Sequence, residues 1–479
     1  PLEHLMSMTD DRLSGSGSSL LDALRDRRSR RFGLGMGMDA GPLAYTSAGT
    51  PVPLSEEEEA LLAFAACGVT GYALGDLIYA PAGGGEIMAG MLGRTTGSGD
   101  AIDTVSVIVL NPDATYVLKR PRDFHPGEIP ELVELSRAGS FVELYRRSRI
   151  EIAKGRSTPP LSNFFNLTVN RWSLYDPAAT YFLPVNDLTH LYINGVLEIF
   201  REENGGYVVD ERAGFRPAGI RRFARSRGGH LDDDPMTEHT FTIQQLETLV
   251  TEFVTVEQGM VLQNLALMTQ ALGLGGFPHW AAHPYGWLQA LGFRTTRMPA
   301  TRYLGMGWLL RTLARLFRRV PEVTLGLGLE VAGEPVLAPF CPPHHASMEA
   351  AVRAVVELKY GASGVFRGGV RHSAWREPSR IVDAVEGPDE AAVEATIAYC
   401  TYVHQRYGRF PAYQPPLRTV LGFQVNHLDT AFYDQYYRRE ALGESQRRHM
   451  SRWHPGDTPA RGGGTRPREG SEPGSRTAP

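Results

Sequence analysis

The chain has 479 residues, 42% of them hydrophobic, enough to bury a full core and more than one compact domain usually needs. Its 49 basic and 53 acidic residues leave a formal net charge of −4, which offers a polyanion no global attraction and argues against a dedicated nucleic-acid binder. Cys67, Cys341 and Cys400 lie far apart, so neither a disulfide framework nor a four-ligand zinc cluster is expected, and with no apolar run approaching ~20 residues and no signal-peptide pattern the expectation is a soluble, cytoplasmic protein without stable membrane insertion.

In chain order, residues 1–17 are polar and rich in Gly and Ser, and disorder is expected there. Ser19 then caps a helix through Leu20, Leu21 and Leu24 that runs into Arg27-Arg28-Ser29-Arg30-Arg31. Ser55 and Glu58 form a capping-box pattern ahead of Leu61, Leu62, Phe64 and Ala65, with Gly68 as the stop. Residues 83–99 are glycine-rich; 104–110 read as a strand, turned by Asn111-Pro112-Asp113 into a second at 116–118. A basic, mostly helical stretch follows, then a strand at 164–169 and a helix at 187–200 with Leu188, Leu191, Tyr192 and Val196 on one side.

Residues 201–240 are polar and are expected to form an exposed insertion. In 257–272, Val261, Leu265, Met268 and Leu272 recur at helical spacing and Gly273 closes a largely buried helix. Residues 301–319 interleave Trp308, Leu309, Leu313, Leu316 and Phe317 with Arg311, Arg315, Arg318 and Arg319, a basic amphipathic helix expected to pack on the body of the protein rather than on a membrane surface. Helices are predicted at 347–359 and 389–407, and from 444 the Arg/Gly/Pro/Ser-rich tail is expected to be disordered.

Three segments carry chemistry. Arg27, Arg28, Ser29, Arg30 and Arg31 put four guanidinium groups and a hydroxyl at a helix-to-loop junction, able to encircle a phosphomonoester with charge-assisted hydrogen bonds. Taken alone such a run is more often a solvated basic face than a phosphate site. Arg94-Thr95-Thr96-Gly97-Ser98-Gly99-Asp100 leads into a strand, its small residues letting backbone approach a flat ring. Glu257-Gln258-Gly259, Gln263-Asn264-Leu265 and Ala271-Leu272-Gly273-Leu274-Gly275-Gly276 follow.

These elements, in this order, resemble the nitroreductase superfamily, particularly its larger branch that includes the azoline-oxidising dehydrogenases of peptide-modification pathways. The resemblance covers about residues 18–295. It implies an α+β fold with a mixed sheet flanked by helices and FMN as cofactor. It places Arg27, Arg28, Ser29 and Arg31 on the FMN phosphate, Thr96, Gly97, Ser98 and Asp100 along the flavin, and Gln263, Leu274, Gly275 and Gly276 on the helix and turn near its ring. The family's proline-serine pair is replaced here by Thr96-Gly97, and its asparagine near the ring has no better match than Asp100.

The implied activity is an oxidoreductase with NAD(P)H as reductant and a small molecule or peptide as partner, working by a ping-pong mechanism in a homodimer. No catalytic side chain is assigned, because the cofactor supplies the reactive atom. The alternatives are a non-catalytic flavin- or ligand-binding protein on the same fold and a peptide azoline dehydrogenase. The domain reading is a core at 18–300 and a C-terminal helical extension at 301–443 packed on it.

Weaker constellations are Lys359-Tyr360, similar to a Lys-Tyr pair used in azoline oxidation; His279 with His283; Cys341 with His344-His345; His427-Leu428-Asp429; and Gly33-x-Gly35-x-Gly37. None has the spacing or companions of a metal site, a nucleophile elbow or a dinucleotide fingerprint.

Overall fold

The computed structural model describes residues 19–74, 87–158, 176–280, 284–317 and 319–453. Ser19 opens α1 (Leu20–Asp26) by accepting the Asp22 backbone N–H while the Asp22 carboxylate accepts that of Ser19. The same reciprocal box between Ser55 and Glu58 opens α2 (Glu56–Cys67). The hairpin β1 (Val105–Leu110) and β2 (Ala114–Leu118) turns at Asn111, whose side-chain oxygen accepts the N–H groups of Asp113 and Ala114. β3 (Arg149–Lys154) and β4 (Thr180–Asp187) follow, and Asp187 caps α3 (Leu188–Ile199).

The longest element is α4 (Ile243–Leu272), 30 residues closed by Gly273 at φ 80° and followed directly by β5 (Gly275–Trp280). Further along lie α5 (Trp308–Phe317), α6 (Met348–Tyr360), α7 (Glu390–Tyr407), β6 (Leu421–Asn426) and α8 (Glu444–Trp453).

The central sheet runs in the order β5-β6-β4-β1-β2-β3, with a short strand at Leu417–Arg418 also paired to β4. β1 is buried at every position because both faces are covered. Val105, Val107 and Val109 pack with Leu62 of α2 and Val261 and Leu265 of α4, while Ile108 and Leu110 pack with Leu183, Leu288 and Leu329 on the opposite face. A third cluster joins α3, the first turns of α4, α6 and α7.

The α+β class is observed, and several finer expectations are corrected. The pairings of the central sheet are antiparallel rather than mixed; parallel pairing occurs instead in a small sheet, between Thr240–Thr242 and Tyr207–Asp210. The segment after 300 is not a helical extension: β6 sits inside the central sheet between β5 and β4, and Arg294–Pro299, Glu322–Val331 and Glu334–Leu337 form another sheet. Residues 201–240 are not simply an exposed insertion, since Tyr207, Val208, Val209, Ala218, Ile220, Ala224 and Leu231 are spaced between the arginines and buried in the core. Helix α8 occupies the start of the tail expected to be disordered, held by polar contacts such as Gln270 Nε2 to Ser445 Oγ at 3.0 Å. The apolar side of α5 does not pack on the body: Trp308, Leu309, Leu310, Leu316 and Phe317 are exposed. The strand predicted at 164–169 lies outside the described residues, as do the N-terminal 17 residues and the tail beyond 453. No described helix is long and apolar enough to cross a membrane.

Candidate functional site

Helix α4 gathers the three chemical segments along its length. Near its middle, Asn264 Nδ2 donates to the Thr95 carbonyl at 2.9 Å and fixes the glycine turn. One turn and more upstream, the buried Glu257 carboxylate accepts the Ser98 and Thr104 hydroxyls and the Asn186 amide, the last at 2.9 Å. Ser98 Oγ in turn accepts the Asp103 N–H at 2.8 Å. Held this way, Asp100, Ala101 and Asp103 adopt φ 56°, 52° and 53°. Left-handed backbone at a residue other than glycine costs on the order of 1 kcal/mol or more, and three such residues within four positions mark a turn over-determined by its surroundings.

Behind the turn runs a polar chain. The Asp100 carboxylate accepts Asn194 Nδ2 at 2.9 Å, Asn194 Oδ1 accepts Lys359 Nζ at 3.0 Å, and Lys359 Nζ reaches Glu198 Oε1 at 2.9 Å. Tyr360 donates its hydroxyl to the same Glu198 oxygen at 3.4 Å. Burial pushes the Asp100 carboxyl up to about 6, against the pull of Asn194 and Lys359. Burial likewise raises Asp103 to about 7, and it raises Glu257. Asp100 and Glu198 form the polar floor of an open cleft of about 480 Å³, walled by Leu191, Phe241, Leu249 and Phe253. A side chain at Gly99 would start 3.5 Å from the Phe253 ring, so turn, cleft and helix are contiguous.

The arginine segment meets the far end of α4. Arg30 is its buried member: its guanidinium donates to Gln270 Oε1 and the Ala441 carbonyl, each at 2.7 Å, and its backbone bridges Gly276. Burial lowers the Arg30 guanidinium to about 10, still cationic at neutral pH. Arg27 is half-buried, Arg28 and Ser29 are exposed, and the Arg31 guanidinium lies 4.6 Å above the Phe277 ring. Among the described residues no acid forms an ion pair with Arg27 or Arg28. Arg28 donates instead to the carbonyls of Arg25 and Arg27 at 3.1 and 2.8 Å.

The other predicted residues divide. Thr96 is buried with a hydroxyl that has no hydrogen-bond partner among the described residues. Gly97 lies against Met260 of α4, and Gln263 is exposed on the same helix. Leu274 is a core residue between helix and sheet, 1% exposed. Gly275 and Gly276 are demanded by packing: an added Cβ would stand 2.3 Å from Leu428 at the first and 2.8 Å from Phe423 and Thr269 at the second. Their side-chain-free backbone is therefore explained without a ligand.

Between the two ends, from Met260 to Gln270, lies about 15 Å of helix. The hollow at the arginine end, about 230 Å³ among Asp22, Gln270 and Arg448, is separate from the cleft. What connects them is the outer face of α4, where Leu249, Phe253, Val256 and Met260 are exposed. Gln263 and Leu267 continue the same alternating four- and three-residue spacing, the pattern of a helix seam that meets another helix.

Asn194 and Glu198 were not legible as site residues; the signal is a pair of polar groups four residues apart inside an otherwise apolar helix, α3. Lys359 and Tyr360 do not line the cleft but stand behind it, both reaching Glu198, with Lys359 only 1% exposed. The remaining constellations have other duties. His344 Nε2 faces the Leu327 carbonyl at 2.9 Å, Asp429 caps the helix Thr430–Tyr436 instead of holding His427, and Gly33 bridges Leu428 in a loop. His283 lies outside the described residues.

No protein-family model matches the chain, and no curated protein matches it. Among solved structures, one from Ralstonia eutropha JMP134 described as a "putative nitroreductase" is similar over 58% of this chain and 77% of that chain, at 12% identity and a TM-score of 0.26. A likeness that loose transfers neither architecture nor chemistry.

Proposed function

We propose that the chain is an FMN-dependent oxidoreductase of nitroreductase-like type, working as a homodimer and moving hydride and electrons between NAD(P)H and an organic small molecule or peptide. The observation that carries this reading is convergence: the arginine segment pairs with Gly276 at one end of α4, and the strained glycine turn docks on the same helix near an open cleft. An exposed apolar seam joins the two, a surface that a second copy of α4 would cover and that would close the site from solvent.

The residues present fit FMN in three respects. Arg27, Arg28 and Ser29 lie half-buried or exposed at the surface beside Arg31, positioned to meet a phosphate, while Arg30 makes the structural contacts. Thr96 offers a buried hydroxyl without a partner among the described residues, and Gly97 presents backbone without a side chain beside Met260. Bound there, FMN would supply hydride and electron transfer. The chain's own share is to orient and to manage protons. With its carboxyl near 6, Asp100 can hold or release a proton around neutral pH at the cleft floor, and Lys359 and Asn194 keep it in place. Leu191, Phe241 and Phe253 exclude water from whatever lies against it.

A second reading, dehydrogenation of a peptide azoline with the flavin as acceptor, is favoured by the contacts of Lys359 and Tyr360 with Glu198, which lines this cleft. In it Lys359 is a positioning residue, acting through Glu198 and Asn194.

Fluorescence titration of the full chain with FMN tests the proposal. Saturable one-to-one binding is expected, with loss of at least tenfold in affinity for Arg27→Ala combined with Arg31→Ala. Anaerobic NADPH or NADH should bleach the yellow complex; colour that persists supports a non-catalytic flavin binder. Absence of binding would remove the proposal.

A further inference from the structure

Away from the cleft, three chain segments remote in sequence bring Glu58, His427 and His449 to one point. Glu58 lies in the first turn of α2, His427 directly follows β6, and His449 lies on α8. All three are buried, at 5%, 4% and 6% exposure. His427 Nε2 stands 3.3 Å from Glu58 Oε2 and His449 Nε2 stands 3.0 Å from Glu58 Oε1. The two imidazoles meet edge to face with centroids 4.9 Å apart, and the three potential donor atoms all lie within 4.8 Å of one another.

No lysine or arginine forms an ion pair with Glu58 among the described residues, so its charge is balanced only by what the imidazoles carry or hold. A buried carboxylate without a fixed cation is costly, and a divalent ion shared with both imidazoles removes that cost. Two imidazole nitrogens with one carboxylate oxygen match the three-protein-ligand sets of zinc sites, and nitrogen-rich donors select transition metals over magnesium or calcium. Bond lengths of about 2.0–2.2 Å place tetrahedral donors about 3.3 Å apart, and each imidazole already stands at about that separation from one of the two Glu58 oxygens.

We propose that Glu58, His427 and His449 form a divalent transition-metal site, with zinc as its ion, which clasps the C-terminal helix α8 onto α2 and the end of β6. Metal binding there is folding energy for the clasp, because the three donors meet only in the folded chain. The site stands independently of the flavin reading.

The test uses the full chain, stripped with a chelator and shown to be folded by circular dichroism, then titrated with Zn²⁺ by calorimetry. One equivalent per chain should bind, and zinc at about 100 to 1,000 times its Kd should raise the unfolding midpoint by about 3–4 °C through ligand linkage, with no such rise from Mg²⁺ or Ca²⁺. His449→Ala, His427→Ala and Glu58→Gln should each weaken zinc binding at least tenfold. Failure of the folded wild-type chain to bind zinc saturably would overturn the site without depending on any variant. Undiminished binding in both histidine variants would overturn it equally, by locating the ion elsewhere.

Discussion

Glu257 and Glu58 are both buried carboxylates, yet their surroundings drive them in opposite directions. Glu257 accepts hydroxyls and an amide from Ser98, Thr104 and Asn186, and burial outweighs these neutral donors, raising its carboxyl. Glu58 is as deeply buried, but His427 and His449 approach it from two sides and hold it well below the usual carboxylate range. Neutral hydrogen bonds orient a buried acid without fixing its charge, whereas groups able to carry charge fix both. The first arrangement fixes a turn beside a cleft, the second brings α2, α8 and the end of β6 to one point.

The largest effect expected from breaking this comparison is at the clasp. Glu58→Ala leaves two buried imidazoles facing each other and removes the capping box of α2, and should cost about 3 kcal/mol or more in urea unfolding. Glu257→Ala strands the Ser98, Thr104 and Asn186 donors and should cost about 2 kcal/mol, with the turn released from its left-handed geometry. Equal costs would mean that the two carboxylates differ less than their environments suggest.

The pH dependence sharpens the contrast. Asp100 and Asp103, raised to about 6 and about 7, keep protons in the folded chain that the unfolded chain releases above about pH 4. Their stabilisation is therefore fully present below about pH 4 and is lost as the pH rises to about 6 for Asp100 and about 7 for Asp103. Glu58 has the opposite sign, its contribution being present above the usual carboxylate range and lost on acidification. Asp103→Asn, which tolerates the left-handed backbone, should flatten the decline between about pH 4 and 7 measured by thermal unfolding. The smallest effect on stability belongs to Arg27→Ala, expected within about 0.5 kcal/mol of wild type because the half-buried residue makes no ion pair among the described residues, while the proposed flavin affinity should fall.

Local signals were read well where they were self-contained. The Ser19 cap, the Ser55–Glu58 capping box, the hairpin at Asn111 and the Gly273 helix stop depend on residues within a few positions, and each formed where the spacing placed it. What the sequence hid is long-range. β6 has the composition of many strands, and nothing local reveals that it inserts between β4 and β5. The core residues of 201–240 are scattered between arginines, so hydrophobic periodicity missed them. Helix α8 carries little apolar content and is held by Ser445, Gln446 and His449, whose partners lie far away in the chain. At the candidate site the arginine segment and the glycine turn were legible, while Asn194, Glu198 and Lys359 became a unit only through packing of α3 against α6.

The most direct test of the central claim is sedimentation of the purified full chain, preincubated with FMN, recorded at the protein and flavin absorption bands together. The account predicts a species of twice the chain mass carrying one flavin per chain, with Phe253→Asp and Met260→Asp in the exposed α4 seam shifting it to flavin-poor monomer. A colourless boundary at the mass of a single chain, with all the FMN left unsedimented, would contradict it.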